Sequence, residues 1–427
     1  MSQVQKPKKG YKSVPWLFGK EIEIPEEWEV KELETLVDIL DSKRIPLEVS
    51  ERKKRIGKYP YYGASGIIDY VNDYIFDERI LCLSEDGENL KSRVLPIAFT
   101  VEEKCWVNNH AHVLKMKKNV EHYFIEKVLN HISLLKYVAS TAIPKLNQRD
   151  MCTIPILLPP LPEQQQIASI LSNVDSLIES TSKIIENSKS LKTGLMQKLL
   201  TRGISHTKFK KVPWLFGKEI EIPEEWDNVI IINSGIKVLD GDRGNEYPKE
   251  SDFSDTGYCL FLSAKNVTKM GFLFTECLFI SKEKDQQLRK GCVSIGDIII
   301  TTRGTVGNIG YFDHSVPYKN IRINSGMAIL QNETDSILQD YFYHLLKSPI
   351  IVKQLRRLQF GSAQPQLTIG TINQLNILVP LLPEQQKIAS ILSNIDAQID
   401  SQTQYKDKLE RLKKSLMQKL LTGEVRV

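Results

Sequence analysis

The sequence predicts an α+β fold in which two α/β-type globular modules are joined by two long antiparallel helices paired as a coiled coil. Three observations carry that expectation. Val14 to Trp28 reads VPWLFGKEIEIPEEW, and Val212 to Trp226 repeats it at all 15 positions, offset by 198. Leu161 to Asp175 (LPEQQQIASILSNVD) returns as Leu382 to Asp396 (LPEQQKIASILSNID), matching at 13 of 15 positions with an offset of 221. Between these boxes lie regions 29–160 and 227–381, which show little resemblance to each other. A repeated frame with two different inserts is a pseudo-two-fold internal repeat, and drift after simple duplication would not spare the frame alone.

The second box reads as the start of a helix. Pro162 and Pro383 stand where a helix tolerates proline, and Glu163 and Glu384 place a carboxylate in the first turn. Apolar residues then recur at spacings of mostly three or four, including Ile167, Ile170, Val174, Leu177, Leu191 and Leu195. The second copy repeats the stripe with Ile388, Ile391, Ile395, Leu412, Leu416 and Leu420. Gly203 and Gly423 follow as stops. Each helix would be roughly 57 Å long at 1.5 Å per residue. One such stripe cannot bury itself, so these twelve residues are expected to pack the helices against each other. The plainer alternative is that each helix packs only on its own module. The organisation expected is a first module with its N-terminal box over 1–160 and a central helical spacer over 161–203. A box and second module follow over 204–381, then a distal helical spacer over 382–427.

Composition narrows the function classes. The chain has 427 residues, formal net charge +5, 41% hydrophobic and 26% charged residues, which is ordinary for a globular protein. No apolar run reaches the length of a membrane span, and the basic N-terminus lacks the apolar stretch of a secretory signal. The six cysteines are scattered without a Cys-x-x-Cys pair, which fits a reducing cytoplasm better than a disulfide framework or zinc site. Enzyme signatures are missing as well. Gly19-Lys20 and Gly217-Lys218 are each followed by Glu, so neither is a phosphate loop. There is no Asn/Asp-Pro-Pro-aromatic motif of an amino-methyltransferase. Gly304, Gly307 and Gly310 do not follow the dinucleotide pattern. His110 and His112 have no acidic or cysteine partner at metal-site spacing. No catalytic residue, cofactor or metal is expected.

The repeated frame, together with Tyr59–Asp69 (YPYYGASGIID), Cys105–Val113 (CWVNNHAHV), Ile143–Asp150 (IPKLNQRD), Asp297–Gly310, Arg322–Ala328 (RINSGMA) and Phe360–Thr368 (FGSAQPQLT), resembles the specificity subunit of type I restriction–modification systems. The resemblance spans essentially the whole chain. It implies a non-catalytic subunit whose two target-recognition domains each read one half of a split, asymmetric double-stranded DNA site. It implies that the helices set the unread gap and dock methyltransferase subunits, normally two, and through them restriction/motor subunits. An orphan DNA-binding regulator and a structural adaptor that grips no DNA remain the alternatives.

DNA reading needs cations for phosphates and polar side chains for base edges. In the first module Lys43, Arg44, Lys53, Lys54, Arg55 and Lys58 run into an aromatic, glycine-rich segment holding Tyr61, Tyr62 and Ser65. Asn108, Asn109, Lys145, Asn147 and Arg149 lie in loop-like settings. In the second module the candidates are Arg243, Lys265, Asn266, Thr302, Arg303, Arg322, Asn324, Gln364 and Gln366. Arg303 is the preferred reader, because Gly304 lets the backbone approach closely. A charge run is as readily a solvated face, and the asparagines suit turns equally well. Region 29–160 holds 19 basic and 19 acidic residues, and 227–381 holds 16 and 15, so any DNA face must be local.

Overall fold

The computed structural model describes residues 8–139, 142–214, 217–358 and 366–427. The chain forms two compact units, Met1–Ser182 with Gln404–Val427, and Lys183–Thr403. The long helices are Leu161–Arg202 and Leu382–Leu420, so each unit holds the start of one helix and the end of the other.

In the first unit the box folds as a hairpin, Tyr11–Pro15 against Glu21–Pro25. The insert enters on Glu29–Glu32 and leaves on Pro155–Leu158, which pair antiparallel. Between them stands an antiparallel sheet in the order Val37–Ile39, Ala111–Met116, Ile80–Ser84, Ala98–Val101. The middle strand reads ILCLS and is buried throughout, as a strand covered on both faces must be. A second, three-stranded sheet joins Gly66–Val71, Ile56–Gly63 and Trp106–Val107. The helix His122–His131 closes the core with Phe124, Ile125, Val128 and Leu129.

The second unit repeats this plan with different residues. Its box hairpin pairs Phe209–Pro213 with Glu219–Pro223, and its insert enters on Asp227–Ile230 and leaves on Asn376–Val379. Its main sheet runs Ile236–Asp240, Met327–Asn332, Ile298–Thr301, Ile309–Tyr311, the same order by position in the chain. The accessory sheet is larger, with four strands, one parallel pair among them.

Frame and insert meet through three polar side chains of each repeated helix start. Glu163 is buried and accepts from the Trp28 indole N–H at 3.0 Å and from the Arg426 guanidinium at 3.0 and 3.2 Å. Its counterpart Glu384 accepts from Trp226 at 2.9 Å and from the Ile204 N–H at 2.7 Å, with the His206 ring 2.9 Å away. Gln164 accepts from the Glu121 N–H at the start of the module helix and donates to the Pro159 carbonyl, both at 2.8 Å. Gln385 does the same with Leu338 and Pro380, at 2.7 and 2.8 Å. Asp175 accepts from Lys413 of the other helix at 2.6 Å and from the module's Tyr123 and Lys127 at 2.5 and 3.0 Å. Burial pushes its carboxyl up, yet the bonds from Lys413, Tyr123 and Lys127 outweigh this and hold it below the ordinary range. Asp396 pairs with Lys192 in the same way.

Asp175 with Lys413, and Glu163 with Arg426, make the helix segments of the first unit antiparallel; Asp396 with Lys192, and Glu384 with Ile204, do so in the second. The buried stripe departs from the expected twelve residues. Ile167, Val174, Ile388 and Leu420 are buried, and Ile170, Leu195, Ile395 and Leu416 are half-buried. Leu177, Leu191, Ile391 and Leu412 are exposed, and the inner face runs instead through Leu171, Thr181, Ile185, Leu392, Ile399 and Leu409. The apolar residues cover more than one helix face, and spacing alone does not choose the inner one.

Replacing Gln164 or Gln385 by Leu strands a buried N–H and a carbonyl, and should cost about 1–3 kcal/mol in urea unfolding. The buried His122 and His344 supply a pH dependence. Burial pushes both down to about 4, and His122 Nε2 and His344 Nδ1 have no hydrogen-bond partner among the described residues. Unfolded histidine titrates near ~6.5, so between there and about 4 the unfolded chain binds more protons than the folded one. Stability should therefore fall as pH drops through that window and be unaffected by these groups above it. Thermal melts of His122→Phe/His344→Phe should show a flatter profile there than the native chain.

Candidate nucleic-acid interface

The expected aromatic loop of the first module is the strand Ile56–Gly63, and its tyrosines face inward. The Tyr61 hydroxyl accepts from the Leu47 N–H at 2.9 Å, and the Tyr62 hydroxyl donates to Glu103 at 2.9 Å. Arg44 is also interior. It lies 2.6 Å from Glu85 and 3.2 Å from Asp41 and donates to the Ala111 carbonyl. His112 sits in the same network, Nδ1 2.6 Å from Asp41 and Nε2 2.8 Å from the Leu146 carbonyl. Asp41, Glu85 and His112 could together hold a cation, and the Arg44 guanidinium already occupies that role.

Exposed groups gather at the tip of the hairpin formed by Ile56–Gly63 and Gly66–Val71. Gly66 takes φ +125°, a conformation that suits glycine, and this turns the chain and presents Ser65 to solvent. The Ser84 hydroxyl donates to the Ala64 carbonyl at 2.5 Å. The Glu85 N–H donates to the His110 carbonyl, and the Leu146 N–H to the Glu85 carbonyl. Segment 84–87 thus brings together Ser65, Asn109, Lys145 and Asn147. Lys145 lies 3.2 Å from Glu85, and Asn147 and Arg149 are exposed beside it. Asn108 is buried, its side-chain oxygen accepting from the His110 N–H, so it shapes the turn. Lys58 stands five residues back from Gly63, roughly 17 Å along the strand at ~3.3 Å per residue, and Lys53 and Lys54 end the helix Val49–Lys54 before it. Lys53 and Lys54 are exposed without side-chain partners among the described residues, Lys58 lies over the Tyr59 ring, Arg55 pairs with Glu51, and Lys43 is 3.8 Å from Glu78.

The second module builds its cluster on the turn Asn324–Gly326. The Arg303 and Thr302 N–H groups donate to the Gly326 carbonyl, and the Asn324 side chain accepts from the Gly326 N–H. Arg243 pairs with Asp240 at 3.1 Å and donates to the Ser325 carbonyl. With its amide oxygen turned to the guanidinium, Gln366 accepts from Arg303 Nη2 and Nε at 3.0 and 3.1 Å. Arg303 is exposed next to Gly304, which takes φ +71°. Lys265 is exposed and pairs with Glu276. Three candidates are interior. Asn266 caps Ser263 and donates to two carbonyls, Thr302 is buried, and Arg322 binds Asp285 at 2.5 Å and the Lys290 carbonyl. Gln364 lies outside the described residues.

Composition also passed over a set of cations. Lys353, Arg356 and Arg357 on the helix Pro349–Leu358, and Lys269 on a neighbouring hairpin, have no side-chain partner among the described residues. Their signal was the KQLRR run on an amphipathic helix.

Comparison with known proteins shows the family. The family model "Type I restriction modification DNA specificity domain" matches twice, over residues 25–188 and 224–411. The chain belongs to that family. The specificity subunit of the type I restriction enzyme MjaVIII from Methanocaldococcus jannaschii is 29% identical, covering 95% of both chains. The putative MjaX specificity subunit of the same organism is 30% identical with the same coverage. The crystal structure of a type I restriction-modification S subunit from M. genitalium shares the fold, with TM-score 0.62 over 92% of this chain and 96% of that one, at 16% identity. Specificity subunits are a non-catalytic family. Among the described residues no helix is long and apolar enough to cross a membrane.

Arg44→Ala should cost about 1–3 kcal/mol, because it removes the guanidinium shared by the half-buried Asp41 and Glu85 and leaves them only His112 and Lys145. Lys53→Ala and Lys54→Ala should stay within about 0.5 kcal/mol of the native chain in the same denaturant titration.

Proposed function

We propose that this chain is the DNA-recognition subunit of a type I restriction–modification complex, with each module reading one half of an asymmetric bipartite site. The observation that carries this is the pairing of one fold with two loop clusters. Both modules have the same sheet order on the same frame, while their exposed polar groups differ: Ser65, Asn109, Lys145, Asn147 and Arg149 in one, Arg243, Arg303 and Gln366, beside the half-buried Asn324, in the other. Different side chains at equivalent places suit two different half-sites. The helices would set the number of unread base pairs between them.

The helices also offer a surface for partners. In the first unit Ile170 and Leu177, and Tyr405 and Leu412, stand one heptad apart; in the second unit Ile184 and Leu191 do. All but the half-buried Ile170 are exposed. Heptad spacing is the seam of a coiled coil, so helices of methyltransferase subunits, one for each half of the frame, are the partners proposed here. Restriction and motor subunits would join through them, in the cytoplasm where the genome lies.

Arg303 donates towards a base edge in this reading and Gln366 holds its guanidinium in place. Arg303→Ala should relax the preference at one base pair of one half-site by about 1–3 kcal/mol and leave the other half-site unchanged. Selection of bound duplexes from a random pool, with the full chain and its co-purified methyltransferase, reads this directly. Binding without any base preference in the native complex would sink the proposal.

A further inference from the structure

The second module is nearly neutral, with 16 basic and 15 acidic residues over 227–381, yet its charges are segregated. A recess of about 360 Å³ beside the helix Pro349–Leu358 is lined by Lys269, Lys347 and Arg356 and by no acidic residue. Its remaining wall includes Gly307 and Asn308, just past the Arg303–Gly304 turn. Lys269 and Arg356 are exposed and unpartnered among the described residues. Lys347 is half-buried and donates to the Tyr343 hydroxyl at 2.8 Å. Burial lowers its pKa against the pull of Asp396 and Asp400. On another face of the same helix Lys353 and Arg357 line a second recess together with Lys218 and Glu219 of the box.

Three cations converging on a concave surface, with two more on the same helix, favour a tetrahedral anion over a planar base edge. Arginine and lysine supply forked and point-like donors, which together suit phosphate oxygens. We infer that this recess is a phosphate clamp, in which Lys269, Lys347 and Arg356 seat the DNA backbone next to the bases faced by Arg303. The inference rests on the DNA-reading proposal and deepens it. Phosphate contacts fix the register of a protein on its duplex, and base contacts then discriminate. In a module with no overall positive charge, such a clamp supplies the local attraction that the whole cannot.

The test is the salt dependence of duplex binding by the full chain, followed by fluorescence anisotropy. It compares the native chain, Lys269→Ala/Arg356→Ala, and a control, Lys408→Ala/Arg411→Ala, that removes the same charge from the second long helix. The clamp variant should show a slope of log K against log salt reduced by about 1–2, with equal weakening on selected and random duplexes. The control should keep the native slope, and thermal melts should show all three folded. A native slope in the clamp variant, while the native chain still selects sequence, overturns the clamp and leaves the DNA reading standing. An equal loss in the control also overturns it, by reducing the effect to net charge. Stabilisation of the native chain by millimolar inorganic phosphate, absent in the clamp variant and without any change in its duplex binding, would make this a free-phosphate site and overturn the DNA assignment. Absence of duplex binding by the native chain at low salt would remove both readings together.

Discussion

A buried polar group must find a partner, and that rule shapes this protein more than any single apolar contact. Each repeated helix holds a glutamate, a glutamine and an aspartate at matching positions: Glu163, Gln164 and Asp175, then Glu384, Gln385 and Asp396, of which Glu163 and both glutamines are buried and the others half-buried. The glutamate needs the box tryptophan, the glutamine needs the first N–H of a module helix, and the aspartate needs the lysine of the opposite helix. An insert of any sequence is therefore accepted only if it offers a helix start where the glutamine waits. The further partner at the glutamate is free to vary, and it does: the Arg426 guanidinium in one unit and the His206 ring in the other.

That arrangement explains what could be read from the sequence. The LPEQ motif, the box tryptophan and the helical period are visible because they occur twice. Their roles are not visible, since a repeated glutamate looks the same whether it decorates a helix start or is buried under an indole. The stripe residues show the same limit. Leu177 and Leu171 are equally apolar and both fall on helical spacings, yet only Leu171 is buried. Where the helix carries two apolar faces, the partner decides which is inner, and the partner lies in a distant part of the chain.

The DNA-facing candidates divide into interior and exposed groups for an electrostatic reason. Arg44 and Arg322 stand in runs of polar residues that resemble a recognition surface, and both are interior because carboxylates meet them there. Arg303 and Lys53 meet no such carboxylate among the described residues and are exposed. A count of cations cannot separate these cases, because the pairing acids, Glu85 and Asp285, come from elsewhere in the chain. Tyr61 and Tyr62 mislead in a related way. A run of aromatic and glycine residues suits a loop or a strand, and here the second outcome puts both rings in the core.

The shared sheet order of two unrelated inserts follows from how they join the frame. Glu29–Glu32 pairs with Pro155–Leu158, and Asp227–Ile230 pairs with Asn376–Val379, so each insert begins and ends side by side on one antiparallel ladder. A segment held that way can change its interior without disturbing the frame, provided its ends stay adjacent. The extra strands of the second module's accessory sheet are such a change. The polar groups proposed to face DNA lie off the ladder's strands, around the hairpin tip at Ser65 and the turn Asn324–Gly326. A fixed frame and a variable surface are thus two consequences of one attachment.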